Sequence, residues 1–427
     1  MTSSRTSSRT SRIVRTGKNG QPLPDLVPLP LPISDVISLE IYDLIIDFLY
    51  SDLQALSTCA LVCKAWLPAS RLHLFCHLEL AQLNFRRFLD LLKSPDFSAH
   101  VRARTNKMTM VQHTGSYKRW LQYCIPYLKD FSVKILDISG LAFAHNGNPP
   151  PYPELSGLQA HFQSVTQLHL RSTKLNSCMQ LAELVCSLRN LERVSLLGVS
   201  WYPGAPSHPA TGPVERLSLP PSLVELDIQS EHPSYLRDIL NWLAEYDQES
   251  LPRIHTLVLV SQRQIPGPND FGLSAERLLN NLGASLLNLT VSHFDFRNHE
   301  GDLHLLSLNT SLRTLHFYDV DVQRSINPEL AVFHRRMYSW IPSMLAQIPS
   351  SDIRTVSFQV VLARAQHLDG LDWGALAAAL SRPQFSQLAR LEFKVSSFKK
   401  QAEKMIREKL LECTQRRILD IASFPNS

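Results

Sequence analysis

Nine times between residues 133 and 393 the chain repeats one phrase, an apolar residue followed three and five places later by two more. The copies begin at Val133, Val165, Leu191, Leu223, Ile254, Leu286, Leu312, Ile353 and Leu388 and stand 26 to 41 residues apart. The last two apolar places alternate with other residues, which is the pattern of a strand with one buried face. Intervals such as MQLAELVCSLRN and SYLRDILNWLAEY repeat apolar residues at helical spacing instead. A strand and return helix of this size cannot bury its apolar side alone. Nine in series can, by stacking into a continuous core with a parallel sheet along one side. The phrase therefore fixes the expected class as α/β, with outer helices on a parallel sheet.

This arrangement resembles a leucine-rich repeat solenoid. The usual repeat goes on to an Asn or Cys whose side chain bonds the neighbouring turn. Here those places hold Thr173, Val199, Glu231, Gln262, Phe294, Val320, Val361 and Ser396, so no asparagine ladder is expected. Within each phrase positions 1, 4 and 6 point inward, which leaves 3, 5 and 7 for the concave face. Candidate target contacts on that face are His169, Arg171, Arg193, Glu225, Asp227, Gln229, His316, Tyr318, Gln359 and Glu392. The Pro-rich connections after Ala142 and Trp201 should project from one edge. A charged helix over residues 399–415, followed by RRILDI, is the expected polar cap of the array.

The first third of the chain reads differently. Residues 1–32 form a tail, basic at first and then Pro-rich; its first twenty residues hold five basic and no acidic residues, equal to the whole formal net charge of +5. With few aliphatic residues it is read as a disordered arm rather than a transit helix. Residues 33–75 then carry two helical patterns. Leu39, Ile41, Leu44, Ile45, Phe48 and Leu49 form the first; Leu53, Leu56, Cys59, Ala60, Cys63 and Trp66 form the second, opened by Asp52 and stopped by Pro68. His73, Cys76 and His77 are expected after that helix, at the start of the first strand of an array over 76–421.

The stretch ISLEIYDLIIDFLYSDLQALSTCALVCKAWLPASRLHLF resembles the F-box, a small helical module that docks on the adaptor of Skp, cullin, F-box ubiquitin ligases. Glu40 and Ile41 match its acidic and aliphatic pair; Leu44, Ile45 and Leu49 match its first helix. Leu56, Leu61, Val62, Cys63 and Trp66 match its "LVC..W" helix, while Ile37-Ser38 replaces the opening Leu-Pro. Together with the irregular array, the chain looks like the divergent F-box proteins of mushroom-forming fungi. The resemblance implies that these ten residues bind a Skp-type adaptor and that the array holds a target protein. The chain would then be the substrate-recognition subunit, with no catalysis of its own. A non-catalytic scaffold unconnected with ubiquitin is the alternative.

Other chemistry is less well supported. Cys59, Cys63, His73, Cys76 and His77 are ligand types that suit zinc, but the compact Cys-x-x-Cys knuckle is missing. His293, Asp295, His299, Glu300, Asp302 and His304 form a second polar cluster, read as an exposed turn. No metal or other cofactor is expected. G-x-S-x-G, H-E-x-x-H and the phosphate-binding G-x-x-x-x-G-K are all absent, so the chain reads as no enzyme. Basic and acidic residues balance after the tail, and the aromatic residues do not interleave with basic runs. Neither pattern favours nucleic acid. No apolar run reaches membrane-spanning length. Seven scattered cysteines fit reduced thiols in a cytoplasmic or nuclear protein.

Overall fold

The computed structural model describes residues 38–112, 120–142, 153–201, 217–261, 271–292, 304–321 and 340–424. The basic and Pro-rich tail, the Pro-rich connections after Ala142 and Trp201, and the polar cluster at 293–303 lie outside them. The chain divides into two compact units, one ending at Leu74 and the other beginning at Phe75.

The first unit holds α1 (Leu39–Phe48), α2 (Leu53–Val62) and most of α3 (Leu67–Cys76). Asp52 opens α2 by accepting a hydrogen bond from the Ala55 N–H at 2.9 Å. The second helix does not run on to Trp66. It stops at Val62, Cys63 is extended (φ −157°, ψ 168°), and Pro68 is the second residue of a third helix rather than the end of the second. Proline lacks an N–H, and the first turn of a helix needs none, so a proline after a turn opens a helix as readily as it stops one. His73 and Cys76 consequently lie inside α3, and only His77 begins a strand. Ile46, Leu56 and Ser70 are buried. The Tyr42 and Trp66 rings lie 5.3 Å apart, and His73 Nε2 meets Asp47 Oδ1 at 2.7 Å, tying α3 to α1.

In the second unit all nine phrases become strands: β3 (Ile135–Ser139), β4 (Gln167–Arg171), β6 (Arg193–Leu197), β8 (Glu225–Ser230), β9 (Thr256–Ser261), β10 (Asn288–Val291), β11 (Thr314–Asp321), β12 (Thr355–Val361) and β13 (Arg390–Val395). Two short strands, β5 (Lys174–Leu175) and β7 (Ser200–Trp201), pair separately. The main sheet also contains β1 (His77–Ala81), β2 (Lys107–Val111) and β14 (Leu419–Ser423). It runs β1-β2-β3-β4-β6-β8-β9-β10-β11-β12-β13-β14, twelve parallel strands among the described residues. The charged segment expected as the closing cap, broken at Leu410 into Lys399–Lys409 and Leu411–Gln415, is therefore followed by one more strand, because the LDI of RRILDI opens the edge strand β14. The fourth positions stand opposite one another from coil to coil, Leu136 to Leu168 to Val194 to Leu226, and are buried throughout.

The return helices bury one stripe each; Leu236, Ile239, Leu240 and Leu243 are the buried side of Pro233–Ala244. Phe317, Phe358 and Phe393, all at position 6 of consecutive phrases, stack with ring centroids 4.9 and 4.7 Å apart. Hydroxyls take the part of the missing asparagines. Thr173 Oγ1 donates to the Ile138 carbonyl at 3.3 Å, and Ser396 Oγ accepts from the Leu362 N–H at 2.9 Å. At the strand entrances Ser164, Ser222, Ser285 and Ser350 donate to the carbonyls of Val133, Leu191, Ile254 and Leu312, at 2.9, 2.7, 3.2 and 2.8 Å. Each acceptor is the first residue of the preceding phrase, so these serines satisfy backbone groups that the coil-to-coil turn would otherwise orphan. Just past the strands, Gly140, Ser172 and Gly198 turn the chain in the left-handed region (φ 68°, 45° and 64°), and Asp319 (φ 53°) holds the same place in its phrase at an irregularity inside β11.

Candidate functional site

Two surfaces carry the candidate residues, one in each unit. On α1 the side chains of Ile41, Leu44, Ile45 and Phe48 follow one another at i, i+3, i+4 and i+7 and are exposed, as are Leu53, Leu61 and Val62. Phe48 and Leu61 are the extremes, 85% and 88% accessible. Monomeric proteins seldom leave so many large apolar side chains in water on one small module. Glu40 and Cys63 are exposed beside them, and Leu49 and Trp66 are half-buried. The Glu40 carboxyl is held below its usual range by its own backbone N–H and by the Ser38 hydroxyl. Leu56 departs from the expected set. It has no accessible surface, so it supports the helices from within instead of contacting a partner. Phe48 and Leu53 belong to the exposed set in its place. The signal for Phe48 was the i+7 step from Ile41.

The second surface is the side of the sheet opposite the return helices. Position 5 forms a row across it, Thr109, Asp137, His169, Ser195, Asp227, Val258, Thr290, His316, Ser357, Glu392 and Asp420, with neighbours set by the strand register. Positions 3 and 7 flank it. The candidates fall into two groups. His169, Arg171, Arg193, Glu225, Asp227 and Gln229 lie on β4 to β8; His316, Tyr318, Gln359 and Glu392 lie on β11 to β13. Between them β9 and β10 present Thr256, Val258, Asn288 and Thr290, which carry no charge.

In the first group Arg193 Nε approaches Glu225 at 3.3 Å, Ser195 Oγ donates to Asp227 Oδ2 at 3.1 Å, and Gln229 Nε2 donates to Asp227 Oδ1 at 3.0 Å. Burial holds His169 below its usual pKa, although Asp137 and Asp227 act in the opposite sense. In the second group Glu392 is only 7% exposed, clamped by Arg390 at 2.8 Å and Lys394 at 3.3 Å. A carboxylate so placed is not a free contact. Arg390 and Lys394, neither of them among the candidate residues, complete this network, and Arg390 also reaches Asp420 at 2.6 Å.

His316 Nδ1 hydrogen-bonds Ser357 Oγ, and burial, with Lys394 adding to it, pushes the imidazole down to about 4. A neutral histidine on a serine is half of a nucleophilic pair. Ser357 is buried, however, and its neighbour Glu392 is engaged by Arg390 and Lys394, so this pair presents no nucleophile to a substrate. Among the described residues no group of three or more His, Cys, Asp or Glu side chains could hold a metal ion. On the helix side an open cleft of about 620 Å³ is lined by Glu183, Cys186, Arg189 and Pro220; burial pushes the Cys186 thiol up to about 11, which makes it unreactive. No helix among the described residues is long and apolar enough to cross a membrane.

No family model and no curated protein matches the chain.

Proposed function

We propose that the chain is the substrate-recognition subunit of a Skp, cullin, F-box type ubiquitin ligase, holding a Skp-type adaptor on α1 and α2 and a target protein on the open face of the sheet. The observation that carries this reading is the exposed apolar surface of Ile41, Leu44, Ile45, Phe48, Leu61 and Val62. It coincides with the stretch whose residues resemble the F-box. Burying one such side chain contributes about 1.5 to 3 kcal/mol, so four or five of them suffice for a stable interface after the costs of association. Ubiquitin transfer belongs to other subunits, and this chain contributes proximity. The ligase reading carries a cytoplasmic or nuclear setting with it.

The test is recovery of the adaptor with full-length protein. Leu61→Asp removes an exposed side chain without disturbing the core, and is expected to weaken adaptor binding at least a hundredfold while leaving the melting temperature unchanged. Leu56→Asp, by contrast, should unfold the helical unit. Equal adaptor recovery by wild type and Leu61→Asp, or none by either, refutes the docking role. If the adaptor binds yet no bound protein accumulates when the chain is deleted, the non-catalytic scaffold is the correct reading.

A further inference from the structure

The carboxylates on the open face are not treated alike. Glu225, Glu392 and Asp420 each lie within 3.3 Å of an arginine: Arg193 at 3.3 Å, Arg390 at 2.8 Å and Arg390 at 2.6 Å. Asp137 and Asp227, both in the position-5 row, have no such partner among the described residues. Asp227 is bonded only by the neutral groups of Ser195 and Gln229. Asp137 is 6% exposed, its Oδ1 has no hydrogen-bond partner, and its nearest cation is Arg171 Nη2, 3.6 Å from Oδ2 and itself mostly exposed. A carboxylate taken out of water without donors is costly, and folds keep one where something else will complete it.

The two are separated by β4 and β6, so they stand about 14 Å apart at the usual strand spacing. Between them lie His169 and Ser195. Burial lowers the pKa of His169 and so disfavours its charged form between the two carboxylates. Lys107 and Arg171 are near enough to influence His169, but neither lies within hydrogen-bond distance of either carboxylate.

From this arrangement we infer that the row from Asp137 to Asp227 seats two lysine or arginine side chains, one at each carboxylate, presented by an extended segment of a bound protein that crosses His169. The inference rests on the sheet being the target-holding half of the molecule. One cation would pair with Asp137 in place of the loosely held Arg171, and the second would give Asp227 a charge partner. The surface is an open row instead of an enclosed cavity, which suits a polypeptide better than a free small molecule.

A random dodecapeptide display library selected on immobilised full-length protein tests this directly. Wild type should enrich peptides containing arginine or lysine, and the best of them, resynthesised, should bind Asp137→Asn or Asp227→Asn at least tenfold more weakly. Both substitutions are isosteric, and Asp137→Asn should melt no lower than wild type. Arg171→Ala, at an exposed position, should tighten binding by removing the competing cation. Failure to enrich basic residues, equal binding to the doubly substituted protein, or weaker binding to Arg171→Ala each overturns the inference. Leu61→Asp should leave peptide binding unchanged, so loss of adaptor docking and loss of this seat are read separately.

Discussion

Gly140 and Gly198 occupy the same place in their coils, the residue just past the strand, and both are left-handed, with φ of 68° and 64°. Alanine at either would carry the left-handed penalty of about 1 to 2 kcal/mol. Their surroundings differ. A Cβ on Gly198 would find its nearest neighbours in Ser172 at 3.8 Å, an ordinary contact, whereas on Gly140 it would lie 2.5 Å from the backbone carbonyl oxygen of Gln112. That oxygen cannot swing aside as a side chain can. Gln112 N–H donates to Ser139 O at 2.9 Å and Gly140 N–H donates to Arg171 O at 2.9 Å, so clearing the clash strains the ends of β2, β3 and β4 together. Losing one such bond from this half-buried turn costs about 1 to 3 kcal/mol more. Gly140→Ala is therefore expected to destabilise by about 3 kcal/mol or more, and Gly198→Ala by about 1 to 2. Urea unfolding of the two full-length variants, compared at unchanged slope, measures the difference. Equal losses would show that backbone conformation alone sets the requirement and that the close approach at Gln112 is immaterial. Ser172 and Asp319, which carry side chains at the equivalent place, already argue that the conformation by itself is tolerated.

Ser222→Ala removes the 2.7 Å bond to the Leu191 carbonyl and should cost about 1 kcal/mol, read as a lower urea midpoint, while Ser311→Ala, at the same place in the next-but-two phrase but with no such bond, should cost less. His316 gives a pH signature. Its pKa falls from 6.5 to about 4 on folding, so the unfolded chain binds the extra proton first as acid is added; the stability this residue contributes is full above pH 6.5 and is lost as pH falls toward 4. The loss is on the order of 3 kcal/mol, and His316→Gln should flatten that part of the stability-against-pH curve.

The sequence shows the nine central strands plainly because each begins its phrase with an aliphatic residue at position 1. The three strands that escaped the periodicity have Phe75, Thr105 and Arg416 there. Their alternation is intact, in Leu78 and Leu80, Met108 and Met110, Leu419 and Ile421. The first position belongs to the turn before the strand, and a hydroxyl or an arginine can fill it: Thr105 Oγ1 bonds the Val101 carbonyl, and Arg416 Nη2 bonds the carbonyls of Phe385 and Ser386. In the helical unit the difficulty is of another kind. Apolar residues surround much of α2, so spacing shows that some side chain faces out without showing whether it is Leu56 or Leu61.

The open face exposes the deeper limit. Asp137 and Glu392 hold the same position in their phrases, both acidic and both nearly buried. One is clamped by two cations; the other keeps an oxygen with no partner. Alternation assigns both to the face, since facing depends only on a residue's own strand. Their environments are set by the strands on either side, contributed by coils 28 to 35 residues away. Arg390 reaches Glu392 along its own strand and Asp420 across to β14, so the C-terminal network closes on itself. The equivalent place before Asp137 is Ile135, which offers no charge. A single residue two places upstream thus separates a self-satisfied carboxylate from one left to accept a donor from outside, and only the register makes the rest of that neighbourhood visible.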